Sequence, residues 1–250
     1  MAFTGRISDI LAYLKNNKRA TVSELSAHFY ASESSIRRDL AELEKAGCVT
    51  RYYGGAAFTG VVDAYDTRIN ISSVQKQKIA ERGAMLVSDG QTVFLDSSST
   101  VSFTVQYLTG FKGLNIVTNC LDTAIKASQY DFDVYMAGGN IRSPSFSVVG
   151  SQAVDFFKDF HADIAFISCT SYRASYGCFE GFKVEVPVKK TIVSNSEKAV
   201  LLCDSTKLEA PASFASVGNP EIDVMITDRG ITEDERSAVS KKAFELIVID

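Results

Sequence analysis

The sequence predicts a two-domain α+β protein, and three observations carry that prediction. Residues 1–57 hold three short amphipathic helical periods followed by an extended segment rich in Val, Thr and Tyr. From about residue 75 onward, short Val/Ile/Leu runs alternate with helix-like stretches, the pattern of an α/β domain with a mainly parallel sheet. Charge divides along the same line: residues 1–57 carry 8 Lys+Arg against 6 Asp+Glu, and the rest of the chain carries 18 against 24. A basic-leaning segment over 1–57, a linker over 58–74 (FTGVVDAYDTRINISSV) and an acidic domain over 75–250 follow.

At 250 residues and 46% hydrophobic, the chain has the apolar content to bury a large core without metals or cross-links. It has no apolar run of about 18 residues, and MAFTGRISDI lacks the basic-then-apolar order of an export signal, so a cytoplasmic protein with no membrane partner is expected. The five cysteines (48, 120, 169, 178, 203) show no C-x-x-C or Cys/His spacing and read as reduced, mostly buried thiols. No metal site, cofactor or catalytic residue is expected. Neither His28 nor His161 has a sequence reason to sit beside a cysteine.

The first helix runs from about Arg6 to Asn16, with Ile7, Ile10, Leu11 and Leu14 at i, i+3, i+4, i+7. The second opens at TVSE, where Thr21 caps the chain and Glu24 returns a hydrogen bond to the cap's amide; its apolar positions are Val22, Leu25 and Phe29. After the break at YAS, Ser32 caps a third helix that buries Ile36, Leu40 and Leu43 and stops at Gly47. The last two helices have the length and polarity of a helix-turn-helix. With the apolar positions turned inward, Ser34, Ser35, Arg37 and Arg38 face outward near the start of the third helix, where such a helix meets base edges and phosphate. The same residues also allow Glu33–Arg37 and Arg38–Glu42 pairs at i, i+4, which a solvated helix carries for its own sake. CVTRYYGGA then reads as a hairpin, with Arg51 and Tyr52 placed to press on the duplex backbone beside the groove.

In the second domain the runs TVFLD, NIVTN, DVYMAGG, ADIAFISC, AVLLCD, VMITD and LIVID read as strands, separated by helix-like stretches such as VSFTVQYL and CLDTAIKASQ. Unbroken apolar runs fit strands covered on both faces. Ligands collect at the carboxyl ends of such strands, so the residues that follow each run are the candidates. They are Asp96, Ser97, Ser98, Ser99 and Thr100, then Thr118 with Asn119, Gly138 and Gly139 with Arg142 beyond, and Asp204 through Lys207. Small hydroxyl residues entering a helix suit a phosphate group and equally serve as ordinary helix caps.

ATVSELSAHFYASESSIRRDLAELEKAGCVTRYYGGA resembles the DNA-binding segment of DeoR-type bacterial transcriptional regulators, through its IRRDL core, its L-x-x-L-E-x-x-G exit (Leu40, Leu43, Glu44, Gly47) and its closing GGA. The likeness continues over DSSST, IVTNC, AGGNIRSPSFSVVG, ADIAFIS and LLCDSTK. It implies a winged helix-turn-helix followed by a sensor resembling the sugar-phosphate isomerase and CoA-transferase fold. By matching motifs, Asp96 to Thr100 would hold phosphate, and Asn119, Gly138, Gly139, Arg142, Glu185, Lys189, Asp204 and Lys207 would line or support the pocket. The implied function is a repressor of a carbohydrate-catabolism operon, acting on an operator in double-stranded DNA as a dimer or tetramer and controlled by a phosphorylated sugar. The alternative is a sugar-phosphate isomerase-like enzyme with an accessory DNA-binding segment. Two departures stand out: Ser98 replaces the glycine of D-x-G-T-T, which would close a backbone approach that needs glycine, and ISCTSY lacks the acid of the family's strand end. YRASYGCFEGFKVEVP is unusual in its Phe179, Phe182 and Pro187.

Overall fold

The structure, a computed structural model, describes residues 5–45, 48–58, 69, 72–142 and 145–250. Gly47, where the third helix is expected to stop, and residues 59–68, 70 and 71 of the expected linker lie outside the described residues. The chain separates into two compact units between residues 68 and 69.

The first unit contains α1 (Arg6–Asn17), β1 (Arg19–Thr21), α2 (Val22–His28), α3 (Glu33–Lys45), β2 (Val49–Tyr52) and β3 (Gly55–Phe58). The predicted cap of α2 forms as a full capping box: Thr21 Oγ1 accepts from the Glu24 amide, and the Glu24 carboxylate accepts from the Thr21 amide at 2.7 Å. These bonds hold the Glu24 carboxyl below the usual carboxylate range. Ser32 Oγ accepts from the Ser35 amide at the start of α3. Ile10, Leu14, Leu25, Ile36, Leu40 and Leu43 form the core, and Phe29 packs at its edge. Arg6 donates to Asp39 at 2.7 Å and ties α1 to α3. The hairpin is the expected one, but its sheet has a third strand: β1 pairs with β3, giving the order β1-β3-β2. Three residues that end on a helix cap carry no period that distinguishes a strand from a loop, so β1 was invisible in the sequence.

The second unit begins with α4 (Ser73–Ala84) and is built on a seven-stranded parallel sheet: β4 (Thr92–Leu95), β5 (Asn115–Thr118), β6 (Asp133–Met136), β9 (Ile164–Ile167), β12 (Ala199–Leu202), β14 (Val224–Asp228) and β15 (Glu245–Ile249). All seven apolar runs read from the sequence supply these strands. The order is β15-β14-β12-β9-β4-β5-β6, so the chain winds one way from β4 through β5 to β6, then returns to place β9 on the other side of β4. The strands are covered on both faces: Phe94 belongs to one apolar cluster with Ile167 and Leu201, while its neighbours Val93 and Leu95 belong to another with Phe166 and Leu202.

The other elements are α5 (Ser99–Ser102), α6 (Val105–Leu108), α7 (Leu121–Ala127), the hairpin β7 (Asn140–Arg142) and β8 (Ser147–Val149), α8 (Ser151–Lys158), α9 (Val186–Ser194), α10 (Glu233–Ser240), and a small antiparallel sheet of β10 (Ser171–Arg173), β11 (Gly177–Glu180) and β13 (Phe214–Gly218). VSFTVQYL is not one helix, because Thr104 Oγ1 donates back to the Val101 carbonyl at 2.7 Å and the turn there separates α5 from α6.

Candidate functional site

On the first unit, Ser34, Arg37 and Arg38 are exposed and Ser35 is half-buried, as the apolar period of α3 requires. Ser32 Oγ lies 3.0 Å from the hydroxyls of both Ser34 and Ser35. Arg37 pairs with Glu33 at 2.6 Å, one of the two pairs that the spacing permits. The other does not form: among the described residues Arg38 makes no ion pair. Arg51 donates from its amide and its guanidinium to Glu44, which ties the hairpin to the end of α3 and lowers the Glu44 pKa. The Tyr52 hydroxyl donates to the Ala20 carbonyl at 3.3 Å. Tyr53, at the tip of the hairpin beside Gly54, is fully exposed and was not among the sequence candidates.

On the second unit, the candidates gather where the sheet reverses its winding, between the carboxyl ends of β4 and β9. Asp96 follows β4 and is 2% exposed. It accepts from the Ser98 amide at 2.9 Å, the Ser168 amide at 2.9 Å and Lys189 Nζ at 2.7 Å. Its carboxylate therefore fastens the two strand ends and the α9 lysine together. Lys189 also reaches Glu180 at 3.1 Å and donates to the Ser168 carbonyl. Burial alone would lower the lysine's pKa, but Asp96 and Glu180 hold it well above the ordinary value. Burial pushes Glu180 up to about 8, although Lys189 pulls the other way. The i, i+4 pair of Glu185 with Lys189 does not form, since each has partners elsewhere.

The hydroxyl run is approached by two lysines. Lys207 Nζ lies 2.7 Å from Ser168 Oγ, 3.3 Å from Thr100 Oγ1 and 3.7 Å from Asp204. Lys76 in α4, 3% exposed, lies 3.4 Å from Ser99 Oγ. Ser98 has an ordinary extended backbone (φ -94°, ψ 149°) and caps α5 through the Val101 amide, so glycine is not required at its position. Ser97 is half-buried beside it.

The remaining candidates form a second bonded group. Glu185 Oε1 accepts from Ser145 at 3.1 Å, Ser147 at 3.0 Å and Arg142 at 3.4 Å, and the Arg142 guanidinium lies 3.4 Å over the Phe182 ring. Phe179 stacks under Arg173 at 4.2 Å. Asn119 donates to the Val148 carbonyl at 3.1 Å, while its buried Oδ1 has no hydrogen-bond partner among the described residues. Gly139 has φ +139°, and a Cβ there would stand 2.8 Å from the Val149 carbonyl; Gly138 faces open space.

A cavity of about 340 Å³ lies farther along, at the ends of β12, β14 and β15. Of the residues that follow the strand runs, only Ser205 and Thr206 line it, and Ser205 there is already bonded to Asp228. Sequence reasoning missed Lys76, Ser168 and Glu180. Lys76 had a readable signal: it sits three and four residues before Ile79 and Ala80, on the buried face of α4. Ser168 and Glu180 had none, because Ser168 is placed by Asp96, 72 residues away, and Glu180 by Ser216, 36 residues away, as well as by Lys189.

A winged helix-turn-helix on one unit and a polar crevice at the switch point of a parallel sheet on the other define the class of ligand-responsive, DNA-binding transcriptional regulators. The chain belongs to the DeoR family: residues 6–60 match the model of the DeoR-like helix-turn-helix domain, and residues 71–229 that of the DeoR C terminal sensor domain. The HTH-type transcriptional regulator GolR of Listeria innocua is 31% identical, with 91% of each chain covered. The HTH-type transcriptional repressor GlcR of Bacillus subtilis is 26% identical, covering 98% of this chain and 96% of the relative. The glycerol-3-phosphate regulon repressor of Escherichia coli is 29% identical, covering 91% and 92%. Among solved structures, ribose 5-phosphate isomerase A from Methanocaldococcus jannaschii is 18% identical over 55% of each chain, with a TM-score of 0.41. No helix among the described residues is long and apolar enough to cross a membrane.

Proposed function

We propose that the protein is a cytoplasmic repressor of a carbohydrate-catabolism operon, whose sensor domain over residues 75–250 binds a phosphorylated sugar and changes operator affinity of the segment over 1–57. The observation that carries the sensor reading is the approach of Lys76 and Lys207 to adjacent hydroxyls, Ser99 and Thr100. Two ammonium groups converging on a hydroxyl pair suit a dianionic phosphate, while Ser97, Ser98 and Asp204 surround it and Asp96 and Lys189 fix the strand ends behind it. Arg142, Glu185, Asn119 and the Gly138–Gly139 turn support the wall that faces the sugar. The relatives named for repression, one of them of a glycerol-3-phosphate regulon, support the same reading.

In the DNA reading, Ser34, Ser35 and Arg38 meet base edges and phosphate, Arg37 exchanges Glu33 for the duplex, and Arg51 with Tyr52 and Tyr53 rests on the flanking backbone. One such module covers too few phosphates for selective affinity, so the protein acts as a homo-oligomer, a dimer or tetramer on paired half-sites.

We read it as a regulator and not an enzyme. Isomerisation of a sugar phosphate needs a carboxylate free to take a proton from carbon. Asp96 is occupied by two amides and a lysine, and Glu185 by two hydroxyls and an arginine. Asp204 accepts from Thr206 and lies 3.7 Å from Lys207, and its buried Oδ2, without a hydrogen-bond partner among the described residues, is the carboxylate oxygen left for the enzyme reading. The test is retention of the protein on its own promoter fragment, titrated with phosphorylated sugars, beside a thermal-shift screen of the same compounds. A regulator of this kind shifts in melting temperature and in operator affinity with the same compound. Turnover of that compound would favour the enzyme.

A further inference from the structure

Cysteines 169, 178 and 203 look scattered in the sequence, yet the fold brings them together beneath the crevice. Cys169 lies two residues beyond the end of β9 and Cys203 one residue beyond the end of β12. The two strands are parallel neighbours with Ile167 opposite Leu201, a register that carries Cys169 abreast of Cys203. Their sulfurs are 4.0 Å apart. Cys178, from β11, belongs to the same buried cluster. Cys169, Cys178 and Cys203 are all in the thiol form.

Buried cysteines commonly act as small apolar residues, and Cys178 and Cys203 are fully buried in that way. Cys169 differs in two respects. It is 6% exposed, and it directly follows Ser168, whose carbonyl accepts from Lys189 and whose hydroxyl accepts from Lys207. Hydrogen bonds from the Cys178 and Cys203 thiols, and then the charges of the two lysines, lower its pKa despite burial. The least buried of the three thiols is therefore the one whose thiolate is favoured, and its neighbour Cys203 is already in contact with it.

We propose that Cys169 and Cys203 form an oxidation site, at which a hydroperoxide converts the two thiols to a disulfide. The Cys169 thiolate attacks the terminal oxygen of the hydroperoxide; the O–O bond breaks, the alcohol or water leaves with a proton, and Cys169 becomes a sulfenic acid. The Cys203 sulfur then attacks the Cys169 sulfur, the S–O bond breaks, and water leaves with the Cys203 proton. Two thiols are oxidised by two electrons and one peroxide is reduced. A disulfide requires the sulfurs to close to about 2.05 Å, which draws together the chain ends that carry Ser168 and Asp204, two of the groups beside Lys207. Oxidation would thereby act on the crevice from below, independently of whether the crevice binds a sugar phosphate.

The test uses the reduced full-length protein in its native state with hydrogen peroxide as the probe, followed by denaturation, alkylation and mass spectrometry. The expected result is loss of two of the five alkylatable thiols, restored by dithiothreitol, with a non-reduced peptide map joining Cys169 to Cys203 while Cys48 and Cys120 remain alkylated. In the double variant Cys178→Ala/Cys203→Ala, which removes both thiols that contact Cys169, Cys169 should stop at the sulfenic acid and react with dimedone. Five alkylatable thiols after peroxide treatment, or a cross-link that maps to any other pair, would overturn the proposal. The map of the unmodified protein decides the matter even if the variant does not fold.

Discussion

Lys189 and Asp96, 93 residues apart in sequence, meet at 2.7 Å with 9% and 3% of their side chains exposed. The pair joins α9 to the end of β4, and through the Ser168 amide and carbonyl it also holds the end of β9.

Breaking this pair from one side should be costly. Lys189→Met leaves the Asp96 carboxylate in a dry site without its cation, a loss on the order of 3–5 kcal/mol. Urea unfolding of the second unit should report that drop. An unchanged midpoint would mean that the two amides on Asp96 suffice.

Glu180 gives a pH prediction whose sign follows from its raised pKa. Between the ordinary carboxylate pKa of 4.5 and its native value of about 8, the folded protein keeps a proton that the unfolded chain has released. The folded state binds more protons there, so this group's contribution to stability falls as pH rises through the window, by up to about 1.4 kcal/mol per unit, and levels off above it. Glu180→Gln cannot ionise, so its stability relative to the unmodified protein should rise between pH 5 and 8. A difference that does not vary with pH would mean that Lys189 keeps the carboxylate charged.

Arg38 and Arg37 should differ on DNA. Arg37 must give up Glu33 to reach a phosphate, whereas Arg38 has no acid to release among the described residues. Arg38→Ala should weaken operator binding more than Arg37→Ala, and loss of a phosphate contact should reduce the salt slope by about 1. Circular dichroism should show both variants folded. Equal affinities for both variants and the unmodified protein at matched salt would remove these residues from the interface.

Lys76→Met should abolish the rise in melting temperature produced by whichever sugar phosphate stabilises the unmodified protein. Lys78→Met, an exposed residue of the same helix, should leave that rise intact. A full shift in Lys76→Met would leave phosphate recognition to Lys207 and the hydroxyls alone.

Legibility in the sequence followed the range of the interactions. The capping box at Thr21 and Glu24, the inward face of α3 and the seven sheet strands were readable because each depends on residues a few positions apart. So was the polar sequence after β4. The antiparallel strands β10, β11 and β13 were not, since three to five residues containing Gly, Ser and Tyr have no distinctive period. Nor were the partners of Asp96: the motif marks it for phosphate, while Ser168 and Lys189, which it bonds, come from distant parts of the chain. The three clustered cysteines were hidden for the same reason.

The position of β9 beside β4 has a consequence for biosynthesis. The nascent chain can lay down β4, β5 and β6 in succession, but the crevice has only one wall until β9 arrives some thirty residues after β6, and its second lysine follows only after β12. A metabolite that grips both walls can therefore recognise only a finished sensor, and truncated products ending before Lys207 should be blind to it.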